Sequence, residues 1–154
     1  FKTFLKLSPP LRTEEDRLSL IQGIKNGLID VIVSDHKPED EESKRLTFSQ
    51  AATGATGIET LLPLALELFH NGSIKLDKVI SLITTNPAKI LGIDKGDLQI
   101  GKNADLSVID INKPWVVNKA KLLSKSKNTP IEDRKLLGQI IKTFIKGEVI
   151  FERV

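Results

Sequence analysis

Ser34-Asp35-His36 follows the apolar, β-branched run of residues 28–33 and opens a polar loop. A carboxylate at the end of a buried strand stands where α/β enzymes, open sheets and barrels alike, place ligands and catalytic groups. Such a carboxylate can ligate a hard or borderline metal and take a proton from metal-bound water, whose pKa the cation lowers. By residue type alone, Asp35 reads equally as a loop cap, and His36 as a packing histidine rather than a ligand. Ser8 ends the preceding apolar segment, where its hydroxyl can bind a polar substrate or simply close a turn before Pro9-Pro10. Arg12 can hold an anion or pair locally. Thr53-Gly54 offers either backbone N–H groups to a ligand or a surface for close helix packing. The acidic residues 39–42 read as a solvated loop, with Glu39 the member nearest Asp35. His70 sits at a helix C-terminus, where stabilising the helix dipole is its default role. Asn128-Thr129-Pro130 reads as a turn.

The elements that must position these residues alternate between strand and helix. Residues 2–7 read as a strand that stops at two prolines, which lack the N–H groups a ladder needs. Thr13 with Asp16 three positions on resembles a capping arrangement, and apolar Leu18, Leu20, Ile21 and Ile24 predict a helix over 13–26 that ends at Asn26-Gly27. Residues 28–33 then read as a strand covered on both faces, so strand, helix and strand imply a parallel pair with a right-handed crossover. The small residues between 47 and 57 permit close backbone approach. Helices are predicted over 58–70 and 76–83, and a third short one opens at Asn86-Pro87 and runs to Leu91. Beyond Gly92, residues 106–108 and 109–111 alternate in opposite phase, 115–117 are apolar again, and Lys146-Gly147 separates two apolar runs. Short antiparallel strands with a terminal hairpin are expected there. The predicted organisation is an α/β part over 1–92 and a small β part over 93–154.

The whole chain has 154 residues, of which 40% are hydrophobic and 28% charged, which excludes disorder and fibrous classes. A net charge of +3, from 23 basic and 20 acidic residues scattered along the sequence, is a mixed surface with no nucleic-acid footprint. With no cysteine, thiolate catalysis, Cys-based zinc sites and disulfides are excluded, so any metal must be held by His, Asp, Glu or a ligand from elsewhere. No apolar run reaches the ~18 residues of a membrane span, and no signal peptide is visible, so no membrane role and a cytoplasmic location are expected. The sequence begins with Phe1 and contains no Met, which suggests a piece of a longer chain.

Several segments resemble one family in order along the whole chain. They are Lys6-Leu7-Ser8-Pro9-Pro10-Leu11-Arg12, Ile32-Val33-Ser34-Asp35-His36-Lys37-Pro38, Gly57-Ile58-Glu59-Thr60-Leu61-Leu62-Pro63-Leu64, Thr85-Asn86-Pro87-Ala88-Lys89-Ile90-Leu91-Gly92, and Gly101 with Ala104-Asp105-Leu106. Together they resemble the C-terminal portion of class I dihydroorotases of the amidohydrolase superfamily. That resemblance implies the last two strands and helices of a metal-dependent (β/α)8 hydrolase barrel over 1–92, with part of a small β-sandwich over 93–154. It implies zinc-dependent interconversion of N-carbamoyl-L-aspartate and L-dihydroorotate in pyrimidine synthesis. Asp35 falls at the family's metal ligand and proton shuttle, Ser8 at an Asn that contacts substrate, and Thr53-Gly54 at a Phe-Gly pair giving backbone contacts. Glu39 replaces a histidine that binds the substrate carboxylate. A glutamate there repels a dianion unless its loop turns away or a basic group compensates.

A barrel needs about 250 residues, so the resemblance implies that the missing N-terminal part supplies most zinc ligands and that these 154 residues alone are inactive. Two other readings follow from the same resemblance: a non-catalytic homologue serving as structural partner of aspartate carbamoyltransferase, and a hydantoinase-like cyclic amidase. A homo-oligomer is a further implied partner state. Exposed strand edges are expected to be paired, covered or rearranged.

Overall fold

A computed structural model of the chain describes residues 2–153. Its first helix, α1 (Glu14–Lys25), starts as its capping residues predict. Thr13 Oγ1 accepts from the Asp16 N–H at 3.3 Å while Asp16 Oδ2 accepts from the Thr13 N–H at 3.1 Å, satisfying two end donors reciprocally. Ile21 and Ile24 on its inner face join Ala65, Ile74, Val79 and Leu82 in the principal core. Those partners come from α3 (Leu61–His70), α4 (Leu76–Ile83) and the turn between them, and α5 (Thr85–Leu91) follows, ended by Gly92 in the left-handed region. Helix α3 starts later than periodicity suggests because residues 58–60 form a turn in which Thr60 donates to the Gly57 carbonyl at 3.1 Å.

Two expectations are corrected. Residues 2–7 are not a strand: Thr3–Leu5 is a 3-10 turn closed by Leu5 N–H to the Lys2 carbonyl and Lys6 N–H to the Thr3 carbonyl, both at 3.0 Å. Residues 28–33 form no ladder either, so the described residues contain no parallel pair. The Ile32 N–H instead donates to the Leu82 carbonyl at the end of α4 at 3.0 Å, and Asn86 Nδ2 donates to the Asp30 carbonyl at 2.8 Å. Ile29 and Ile32 of the β-branched run are partly buried against the helical core, while Leu28 and Val33 stay exposed, so the run packs on one side without pairing. The acidic residues are likewise not all loop. Asp40 Oδ1 accepts from the Ser43 N–H at 2.7 Å and caps α2 (Glu41–Arg45), placing Glu41 and Glu42 in the first turn where the helix dipole favours them.

The second half carries one antiparallel sheet in the order β1 (Leu106–Val116), β2 (Lys135–Ile145), β3 (Glu148–Glu152). Register shifts between Val108 and Ile109, and between Asp110 and Pro114, explain the change of phase in the sequence, since a bulge moves successive side chains to the other face. Pro114 is tolerated because β1 is an edge strand. Lys146 and Gly147, at φ 52° and 84°, make the two-residue turn that sets β2 against β3 with Ile145 opposite Glu148. Helix α3 packs on β2 at Gly138, whose φ of 104° and missing side chain let Leu66 sit against the strand backbone. Arg134, just before β2, reinforces this with two 2.8 Å bonds to the Glu67 carboxylate on α3. No helix among the described residues is long and apolar enough to cross a membrane.

Substituting Gly138→Ala forces the Leu66 side chain aside and holds an L-residue at positive φ. The chain is expected to lose about 2–4 kcal/mol of stability, measured by chemical denaturation.

Candidate active site

The site is assembled from four stretches that lie far apart in sequence. Residues 7–9, 32–37 and 53–57 border a cavity of about 450 Å3 whose inner wall is Leu61, Leu64 and Leu68 of α3, with Pro130 and Ile131 completing it. Ser8, Asp35, Thr53 and Gly54 all line this cavity. Glu39 does not; its N–H donates to Asn128 Oδ1 at 3.2 Å and its carboxylate lies 3.7 Å from Lys37 Nζ. Arg12 is exposed and His70 lies at the end of α3, both away from the lining.

Two glycines allow the stretches to meet. A Cβ on Gly57 would lie 2.5 Å from the Ser34 carbonyl oxygen, and one on Gly54, at φ 144°, would lie 2.8 Å from the Lys37 carbonyl oxygen. Only a residue without a side chain permits either approach. His36 then bridges the seam, with its Nδ1 accepting from the Gly57 N–H at 3.1 Å and the Ile58 N–H at 3.4 Å. That places any proton of the neutral ring on Nε2 and gives His36 an orienting role rather than a ligand's role through Nδ1. Asp35 itself is exposed and has φ +40°, an uncommon conformation for a residue with a side chain. Backbone strain of this kind concentrates at functional sites, where it fixes the direction of one side chain.

Beneath the cavity rim lies a group that no sequence pattern exposed. Lys44 of α2 is fully buried, and its ammonium donates to the carbonyls of Ala52 and Gly54, each at 2.9 Å, and of Lys6 at 3.2 Å. Three acceptors satisfy the three donors of an ammonium. Burial pushes the Lys44 pKa below that of a free lysine; the charge of Glu39 opposes the shift, while Lys6 and Lys37 add to it. Lys6 serves the same wall from the other side, donating to the Ser49 and Ala51 carbonyls at 3.0 and 2.8 Å, while its own carbonyl accepts from the Gly54 N–H at 3.1 Å.

Asn128, also buried, was expected to be a turn residue. It links the site instead, donating to the Gly54 carbonyl at 3.3 Å and accepting from Glu39. Glu59 anchors the loop that carries it, accepting from the N–H groups of Leu123 and Ser124 at 2.9 and 3.2 Å. Thr56 adds a buried hydroxyl to the lining, unpartnered among the described residues.

The lining therefore holds one carboxylate, one ammonium, the hydroxyls of Ser8, Ser34, Thr53, Thr56 and Thr60 and a pinned backbone turn, over an apolar floor. It does not make a zinc site by itself. A catalytic zinc takes about three protein ligands, and among the described residues no three His, Cys, Asp or Glu side chains gather.

Comparison with known proteins gives the family of the chain. The chain belongs to the amidohydrolase family, whose model matches residues 7–150. Among curated relatives it is 43% identical over 152 residues to the dihydroorotase of Ehrlichia canis (strain Jake), covering 99% of this chain and 34% of that protein. It is 44% identical over 147 residues to the dihydroorotase of Aquifex aeolicus (strain VF5), covering 96% and 35%. The chain thus spans about a third of the length of these relatives. Among solved structures, the L-hydantoinase (dihydropyrimidinase) of Arthrobacter aurescens is similar with a TM-score of 0.88 at 33% identity, covering 97% of this chain and 35% of that one. The dihydropyrimidinase of Brevibacillus agri NCHU1002 shares the fold at a TM-score of 0.89 and 24% identity, covering 97% and 34%.

Lys44→Met removes the ammonium and leaves three carbonyls turned inward. A stability loss of about 2–4 kcal/mol is expected, together with faster amide hydrogen exchange at Gly54, measured by denaturation and by NMR exchange.

Proposed function

We propose that this chain is part of a dihydroorotase, which hydrolyses the cyclic amide of L-dihydroorotate to N-carbamoyl-L-aspartate and runs the reverse cyclisation. The observation that carries the reading is the convergence of Asp35, Ser8, Thr53 and Gly54 on one cavity, in a chain 43% identical to a dihydroorotase over nearly its whole length. Asp35 is the general base and acid. It takes a proton from the water that attacks the ring carbonyl, a C–O bond forms, the ring C–N bond breaks, and Asp35 returns the proton to the departing nitrogen. Ser8 and the Thr53 backbone hold the polar edge of the ring where Gly54 lets it approach, and the leucines of α3 exclude water from its other side.

In this reading residues 1–92 belong to a (β/α)8 barrel and 93–154 to a small β-sandwich. The confinement of the antiparallel sheet to residues 106–152 supports that division. Zinc is a cofactor of the whole enzyme, with Asp35 one ligand and the others on polypeptide outside this chain. That remaining polypeptide, a second copy of the enzyme and aspartate carbamoyltransferase are the proposed macromolecular partners, in the cytoplasm. A hydantoinase-like cyclic amidase is the second reading, favoured by the likeness to the Arthrobacter aurescens L-hydantoinase. It uses the same carboxylate on a different ring.

The test is to assay the complete enzyme against dihydroorotate and hydantoins, with and without Asp35→Asn. The proposal expects dihydroorotate to be the preferred substrate and kcat to fall by about 10²–10⁴ in the variant. Preference for hydantoins would select the second reading, and an unaffected Asp35→Asn enzyme would remove Asp35 from the chemistry.

A further inference from the structure

The cavity has one acidic side chain in its lining, Asp35, and one basic side chain, Lys37. The other lining residues are neutral. Resting on the reading above, the substrate brings one carboxylate as dihydroorotate and two as N-carbamoyl-L-aspartate. With Asp35 and its zinc turned to the scissile amide, the substrate's own carboxylate still needs a cation to offset it.

Two further lysines stand close to this wall, and both are engaged. The Lys44 ammonium is consumed by the carbonyls of Lys6, Ala52 and Gly54, and that of Lys6 by the carbonyls of Ser49 and Ala51.

Lys37 is held differently. Its backbone is fixed, with its N–H donating to the Ala55 carbonyl at 2.9 Å. Its stem crosses the bare face of Gly54, where a Cβ would come within 3.0 Å of Lys37 Cγ and Cδ. The side chain beyond is 59% exposed, and its ammonium lies 3.7 Å from a Glu39 carboxylate oxygen, beyond hydrogen-bond distance. A loose, exposed pair of this kind holds a lysine only weakly. Glu39 also has another cation to serve, because its charge acts on buried Lys44. The ammonium of Lys37 is thus tethered at the cavity mouth and free to turn from Glu39 to a better anion.

We propose that Lys37 is a specificity-determining cation of the site, binding a carboxylate of the substrate at the mouth of the cavity. Glu39, outside the lining, is the resting partner that Lys37 leaves when the substrate arrives.

The experiment is steady-state kinetics of the complete enzyme with dihydroorotate and with N-carbamoyl-L-aspartate, in wild type, Lys37→Met and Lys37→Arg. Losing a charge-assisted contact of about 1.4 kcal/mol raises KM about tenfold. Lys37→Met is expected to raise KM by that factor for dihydroorotate, and further for the dianion, with a much smaller change in kcat. Lys37→Arg is expected to recover most of the loss. A purely structural role would lower kcat through the active fraction and leave KM alone, so an unchanged KM in Lys37→Met overturns the proposal. Equal impairment of Lys37→Met and Lys37→Arg overturns it as well. A wild-type enzyme without dihydroorotate turnover overturns the proposed function itself, and that result is read before any variant is compared.

Discussion

The buried ammonium of Lys44 is the constraint on which the cavity rim depends. Removing an ammonium from water costs several kcal/mol, and the cost is met only where geometry supplies enough acceptors. Here the carbonyls of Lys6, Ala52 and Gly54 converge on it from two separate stretches, so the charge is satisfied only when both are in place. Lys6 lies two residues before Ser8, and Thr53 lies between two of the clamped carbonyls. The same interaction that makes the burial tolerable therefore sets the spacing between two walls of the site. The Asn128 amide adds a second bond to the Gly54 carbonyl and carries the constraint to the loop between β1 and β2.

Asp35 is positioned by a different device on the opposite wall. Gly57 and Gly54 bring residues 53–57 against 34–37, and His36 closes the seam by accepting two backbone N–H groups. Beyond the site, α3 serves two structures at once: its leucines form the cavity floor, while Leu66 and Glu67 fasten it to β2.

Much of the local structure was legible because it obeys local rules. The Thr13–Asp16 capping box marks the start of α1, the apolar spacing in residues 76–83 gives the whole of α4, and Lys146-Gly147 marks the terminal turn. The phase change near Ile109 is a bulge written into the alternation itself. Residues 2–7 and 28–33 misled because apolar composition reports neither pairing nor full burial, and Leu5, Leu28 and Val33 are exposed. Both have strand-like side chains, yet their backbones bond to a local turn and to the end of α4.

Asp35 and Ser8 were visible as candidates because each sits at the end of an apolar segment. Lys44 and Asn128 were not, because their partners lie as far as 38 and 89 positions away and no spacing rule links residues so distant. Glu39 was named because it stands where the resembled family has a histidine, close to Asp35 in sequence. In the fold it faces out of the lining, toward Lys37 and Asn128.

The most direct measurement is a crystal structure of the complete enzyme with dihydroorotate bound. The ligand should occupy the cavity bordered by residues 7–9, 32–37 and 53–57. Asp35 should face the scissile amide, and Ser8 and the Thr53 backbone should lie within about 3 Å of its polar atoms. A ligand bound elsewhere, or bound in this cavity with Asp35 turned away from the amide, would contradict the assignment of this segment as part of the active site.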